Sequence, residues 1–406
     1  MELNTNMCRG GACPLPRTGL EDRKRRPPST RSAAWRTATW AVVPFVPLLA
    51  LLAGGWKSAE RDYAWSFPRD HWSHPGYRTE WWYFTGQLAA VEAPERRFGY
   101  QLTFFRVGLT PAPPELASEW ATANLIMGHA AITDLAGGRH LFSELLYREV
   151  PLLAGFGVHP DPLIAWSRGP AGTAARWSLG WNGSGFDLAM RDDALDIGFE
   201  LSTQPLKPLV FQGPGGYSRK SRDSNVASLY YSFTRLATEG SVRLGADRFE
   251  VRGLSWMDRE FGSSQLGENQ AGWDWFSLQL EDRREIMLYV LRDRRGGTDF
   301  ARGTVVSPQG QARYLGPADW ELRVTRRWKS PSTSARYPAG WTLEIPGEDL
   351  KVRIAPLVDD QENLSRLAGG LFYWEGAVAV LSGSGSQVGS GYVELTGYGT
   401  NNRPPI

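Results

Sequence analysis

The stretch Glu80-Trp81-Trp82-Tyr83-Phe84-Thr85-Gly86-Gln87-Leu88 recurs without a gap as Gly272-Trp273-Asp274-Trp275-Phe276-Ser277-Leu278-Gln279-Leu280. The copies share Trp, Phe, Gln and Leu and match Thr with Ser. Aromatic-rich runs of this length, bounded by turn residues, predict strands. Each copy is followed by a basic turn, Arg96-Arg97 or Arg283-Arg284, and by a second apolar run ending in Arg106 or Arg292. The far ends correspond as well. Leu229-Tyr230-Tyr231 leads into a closing strand through Gly253, and Phe372-Tyr373-Trp374 leads into one through Gly391. A repeated opening hairpin with a repeated close predicts an all-β chain of two tandem antiparallel barrels or sandwiches, joined near residues 258 to 271.

Composition agrees. The 406 residues include 18 Trp, 17 Phe, 14 Tyr and 45 Gly, a pairing that suits short strands with aromatic interiors rather than helix bundles. The one helix expected is short, around Gln361 to Leu367. The domains are read as a leader over 1–56, a first barrel over 60–262 and a second over 263–402.

The leader carries Arg23, Lys24, Arg25, Arg26, Arg31 and Arg36 ahead of an apolar run from Ala38 to Gly55. Basic flank, apolar segment and small-residue exit form an export signal, with cleavage after Gly55. The alternative is an uncleaved anchor that keeps the body at the membrane facing the periplasm, although Pro44 and Pro47 weaken a spanning helix. Residues 1–56 hold 8 basic and 3 acidic residues, leaving 37 against 40 in the rest. The body is therefore slightly acidic, and no nucleic-acid partner is expected. Both cysteines, Cys8 and Cys13, precede the apolar run. The body thus has no disulfide, thiolate metal site or cysteine nucleophile.

Other chemistries lack their residues. His71-x-x-His74 stands without the further ligands of a zinc site, so no metal is expected. There is no G-x-S-x-G elbow, and Gly213-Pro214-Gly215-Gly216 lacks the Lys-Ser/Thr of a phosphate loop. What remains is an acid among aromatics. In Ser255-Trp256-Met257-Asp258-Arg259-Glu260-Phe261-Gly262, strand parity puts Trp256 and Asp258 on one face. If that face lines a barrel interior, desolvation keeps Asp258 protonated near neutrality, as an acid catalyst requires. Alignment of Gly253 with Gly391 gives the second repeat Thr396 in place of Asp258, which argues for function. The bland reading pairs Asp258 with Arg259 or Arg252, or has it cap the interdomain turn. His129, in the apolar run Met127 to Asp134, either faces a ligand or is a hydrogen-bonded core residue. Glu80 is either an inward-facing polar group or an ion-pair partner of Arg78. The loop Gln212 to Lys220, with Tyr217, is either a lid over a barrel mouth or a wide turn.

The run His74-Pro75-Gly76-Tyr77-Arg78-Thr79-Glu80-Trp81-Trp82-Tyr83-Phe84-Thr85-Gly86, the Gln212 to Lys220 loop with Leu229 to Leu236, Trp256 to Gly262, and Gly391 to Tyr398 together resemble the AttH and carotenoid 1,2-hydratase (hydroxyneurosporene synthase) superfamily over about residues 60–400. The resemblance implies two lipocalin-like barrels. It also implies cofactor-free addition of water to an isoprenoid double bond, with Asp258, in the matching motif, as proton donor. It is closer to the exported AttH-like branch than to the pigment hydratases. A tertiary carbocation formed in this way needs aromatic faces, for which Trp256, Trp82 and Tyr217 are the candidates. Two other functions stay open. One is a non-catalytic periplasmic carrier of a lipophilic ligand, serving an ABC-type exporter; the other is a polysaccharide-binding sandwich, which lacks a recognisable carboxylate pair.

Overall fold

The computed structural model describes residues 55–115, 117–222, 225–400 and 402–404. The expected leader lies outside them except for Gly55 and Trp56. Among the described residues, helical structure is confined to three one-turn 3-10 segments, and no helix is long and apolar enough to cross a membrane.

The strands form two large antiparallel sheets. The first, a nearly closed barrel, runs in space Arg139–Arg148, Asn124–Asp134, Arg97–Gly108, Thr79–Ala90, Asp247–Ser264, Ala227–Leu244, Ile197–Pro205, Phe186–Asp192, Arg176–Trp181, Leu163–Arg168, Ala154–Phe156. The second runs Ala312–Leu315, Thr298–Val306, Glu285–Asp293, Gln270–Leu280, Gln387–Leu395, Phe372–Leu381, Leu350–Pro356, Trp341–Ile345, Glu321–Val324. The order is the same in both. In each, the opening strand of the repeat lies between its own hairpin partner and the closing strand, so the sequence repeat is a repeat of topology.

Burial explains why these opening strands carry so little polar alternation. Trp82, Phe84 and Leu88 point into the first barrel, beside Tyr100, Leu102 and Phe104. Tyr83, on the other face, joins Tyr230, Trp256, Trp275, Tyr289 and Tyr392 in a cluster between the two sheets. A strand buried on both faces reads as continuous apolar sequence. Gly86 is required by close approach, since a Cβ there would meet Ser255 Oγ and a Tyr100 ring carbon, each at 2.6 Å.

The repeated glutamines clasp the sheets together. Gln87 Nε2 donates to the carbonyls of Val378 and Gly391 at 2.9 and 3.0 Å. Gln279 Nε2 donates in return to those of Thr234 and Ser255 at 2.8 and 2.9 Å. Each side chain satisfies buried carbonyls that the pleated ladder leaves facing the other sheet.

The helix expected around Gln361 to Leu367 does not form. Glu362–Leu364 is instead a short strand paired with Phe372–Leu381. Its polar side chains hold it extended. Gln361 Oε1 accepts from the Ala377 amide at 2.8 Å, and the Glu362 carboxylate accepts from Thr333 and Tyr337 at 2.6 and 2.8 Å.

Candidate functional site

One cross-strand row organises the site. Ser232, Asp258, Tyr83, Thr103 and His129 lie opposite one another on five successive strands of the first sheet. Residues in register share a face, and this face looks toward the second sheet rather than into the barrel. The second sheet answers with Glu375, Glu394, Trp275 and Tyr289 on four successive strands. The rows meet where Tyr83 and Trp275 pack edge to face, with centroids 5.1 Å apart. Between them lies a cavity of about 310 Å³, enough for a small apolar ligand. Its aromatic walls include Trp81, Tyr83, Phe105, Trp273, Trp275 and Tyr289, and Ala368, Leu371 and Pro404 border it.

Asp258 lines this cavity. Its Oδ1 accepts from Trp256 Nε1 at 2.7 Å and from Ser232 Oγ at 2.5 Å, while its Oδ2 accepts from Tyr230 Oη at 2.5 Å. Tyr230 Oη in turn accepts from Trp275 Nε1 at 3.2 Å. Burial pushes the Asp258 carboxyl up to about 7, against these three donors, and the neighbouring Glu260 adds to the rise. The indole N–H can only donate, so it holds Oδ1 as an acceptor and leaves Oδ2 as the atom that takes the proton.

Glu260 also borders the cavity. It accepts from Ser228 Oγ and pairs with Lys220 Nζ at 2.7 Å. The ammonium lies over the rings of Tyr230 and Tyr289, 4.8 and 4.7 Å from their centroids.

A family model described as AttH-like matches residues 58–398. The chain belongs to the AttH-like family. An AttH protein of Nitrosomonas europaea, known from its crystal structure, is 30% identical, with a TM-score of 0.73 over 84% of this chain and 99% of that one. Kievitone hydratase of Nectria haematococca shares the fold at 15% identity, with a TM-score of 0.57 over 82% of this chain and 92% of that one. A curated relative, a dehydratase of Emericella nidulans, is 25% identical over 179 residues, 41% of this chain. The chain spans about half the length, 47%, of that curated relative.

Within this AttH-like protein the residues singled out from sequence separate. Asp258, His129 and Glu80 border the cavity; Trp256, Trp82 and Tyr217 do not. Trp256 is buried behind Asp258 and orients it through the indole N–H. Trp82 faces the barrel core, where the Arg259 guanidinium lies 3.9 Å from its ring centroid and its Nε1 donates to the His71 carbonyl at 2.7 Å. Tyr217 pairs with Leu229 beneath Arg61, 4.7 Å from ring centroid to guanidinium carbon. The glycine-rich loop packs back on the fold, with Trp65 Nε1 donating to the Gly215 carbonyl at 2.8 Å. Only its end, Lys220, reaches the cavity.

Glu80 does not pair with Arg78. Its carboxylate is held by Arg106, Arg259 and the His74 amide, the last at 2.9 and 3.0 Å. Burial would raise this carboxyl, but the two guanidinium groups hold it well below the usual range. Arg259 is thereby taken by Glu80 and is not the partner of Asp258. His71 Nδ1 meets Tyr231 Oη at 2.6 Å, and His74 stacks on Phe261 at 3.7 Å. His129 is both a cavity residue and a bonded one. Its Nδ1 meets Tyr373 Oη at 2.7 Å, Nε2 has no hydrogen-bond partner among the described residues, and burial depresses the ring to about 3.

The equivalence of Asp258 with Thr396 is also corrected. Leu88 pairs with Gly253, and its repeat mate Leu280 pairs with Gly389, two residues before Gly391. Tyr83 accordingly lies opposite Asp258, and its mate Trp275 lies opposite Glu394. Sequence reasoning passed over Tyr230, Ser232, Trp275, Glu375 and Glu394. All five stand in or beside the repeat motifs, but only the strand register brings them to Asp258.

Proposed function

We propose that this AttH-like protein adds water to an isoprenoid-type carbon–carbon double bond of a lipophilic substrate, or removes it in reverse, by acid catalysis. The observation that carries the reading is a carboxyl group, Asp258, that keeps its proton near neutrality while facing an aromatic cavity. Transfer of that proton from Oδ2 to the less substituted alkene carbon leaves a tertiary cation. The faces of Trp81, Tyr83 and Trp275 stabilise it where water is scarce. Water then attacks the cation, and loss of one proton from the water oxygen gives the alcohol. The dehydratase of Emericella nidulans supports chemistry of this kind, and kievitone hydratase shares the architecture.

The test is incubation of the purified protein with a lipid extract, followed by mass spectrometry of bound and released species. Conversion with the gain or loss of one water, absent in Asp258→Asn, is expected. Retention of unaltered lipid by the wild-type protein would instead establish a carrier.

A further inference from the structure

Hydration needs a base as well as an acid, because the attacking water must lose a proton. The second sheet offers one. The buried acids Glu80, Glu260, Asp274 and Glu285 each face a cation. Glu375 and Glu394 border the same cavity, yet among the described residues neither forms an ion pair. They are direct cross-strand partners, which sets their Cβ atoms roughly 4.5–5.5 Å apart. Two carboxylates that close, desolvated and without a cation, cannot both ionise, and they share one proton.

Their surroundings divide the roles. Glu375 is 1% exposed; its Oε2 accepts a 3.4 Å bond from Asn363, and the Tyr83 phenol beside it opposes the rise of its carboxyl. Burial, then Glu394, push it well above the usual carboxylate range, so it keeps the proton. Glu394 is half-buried, and burial, with Asp258 and Glu260, raises it to about 7. The remaining titratable groups facing the pair are the phenols of Tyr83, Tyr373 and Tyr392, all raised by burial, and Lys220, which is engaged by Glu260. Of the other bases on the wall, Glu80 and Glu260 are each engaged by a cation, and a His129 ring depressed to about 3 is too weak to hold a proton near neutrality.

We propose that Glu394 is the base of this reaction, holding the attacking water and taking its proton, with Glu375 as the positioning partner that keeps its own. The proposal rests on the hydration reading and deepens it. Asp258 gives H⁺ to one alkene carbon; the water oxygen bonds to the other, and its surplus proton goes to Glu394. The product is a neutral alcohol, Asp258 is left as carboxylate and Glu394 as acid, and one proton returned through solvent resets the pair. In dehydration the roles reverse: Glu394 protonates the leaving hydroxyl and Asp258 removes the proton from carbon.

The experiment uses the full-length protein and citronellol, which carries one trisubstituted isoprenoid double bond. Glu394→Gln should lower kcat by about 100-fold or more, as loss of a general base does, with KM changed less than about threefold. Glu375→Gln should move the acidic limb of the rate profile to higher pH, because the Glu394 anion loses the protonated carboxyl that shares its proton with it. An infrared carbonyl band of a protonated carboxyl, present in the wild type at pH 7 and diminished in Glu375→Gln, reads the pair without any turnover. A full rate and unchanged profile in Glu394→Gln beside an inactive Asp258→Asn would overturn the base and leave the acid standing. An infrared band unaltered in Glu375→Gln would overturn the shared proton. Wild-type protein that converts neither citronellol nor any component of a lipid extract would overturn acid and base together.

Discussion

Asp258 and Glu394 occupy the same place in the two repeats, one opposite Tyr83 and the other opposite Trp275. The repeated topology therefore sets two carboxyl groups at equivalent positions and on one cavity. The two differ in their partners. Asp258 is met by a phenol, a hydroxyl and an indole N–H, whereas Glu394 is met across its strand by another acid.

Asp258 should make the fold less stable as pH rises. Its carboxyl stands at about 7 in the folded protein against an ordinary 3.8, so the folded state binds the proton more tightly. Stability from this group is then lost between about pH 4 and pH 7, by on the order of 2–4 kcal/mol. Asp258→Asn should be more stable than wild type at pH 8 and equal to it at pH 4. Urea denaturation at the two pH values decides this, and equal differences at both would contradict it.

Glu260→Gln should move the alkaline limb of activity to lower pH. The substitution removes the negative charge that helps raise Asp258 and frees the positive Lys220 beside it. Both changes favour the Asp258 anion. A pH–rate series on the variant and wild type measures the direction, and a limb displaced to higher pH would refute it.

Glu80→Gln should damage the fold. The charge it removes neutralises buried Arg106 and Arg259, and stranding buried charges costs roughly 3–5 kcal/mol. Because the Glu80 carboxyl is held below its ordinary value, its contribution is present above about pH 4.5 and fades as pH falls through the folded value. The loss of stability, measured by chemical denaturation, should be large at pH 7 and shrink in acid.

Gln87→Ala and Gln279→Ala should weaken the protein by similar amounts. Each strips two buried carbonyls of a donor across the sheet interface, which costs about 1–3 kcal/mol. Both should lower the urea midpoint with an unchanged slope. A neutral result for either would mean that water replaces the amide.

The sequence by itself determined the all-β class, the duplicated hairpin and closing strand, and the common face of Trp256 and Asp258, because these depend on residue type and on the two-residue period of a strand. Tertiary structure decided which face of each strand meets what. In Trp81-Trp82-Tyr83-Phe84 both faces are buried, so no polar residue marks the outer one, and the assignment of Trp82 to the core and Trp81 to the cavity was invisible to pattern. The register of the closing strand was equally hidden. Gly389 and Gly391 both lie against backbone, beneath the Gln279 and Ser277 carbonyls, and only the ladder selects Gly389 as the mate of Gly253. That two-residue difference separates Thr396 from Glu394. The cavity itself, and the meeting of Asp258 with Glu375 and Glu394, come from packing one sheet on another, a contact between distant segments that local sequence does not encode.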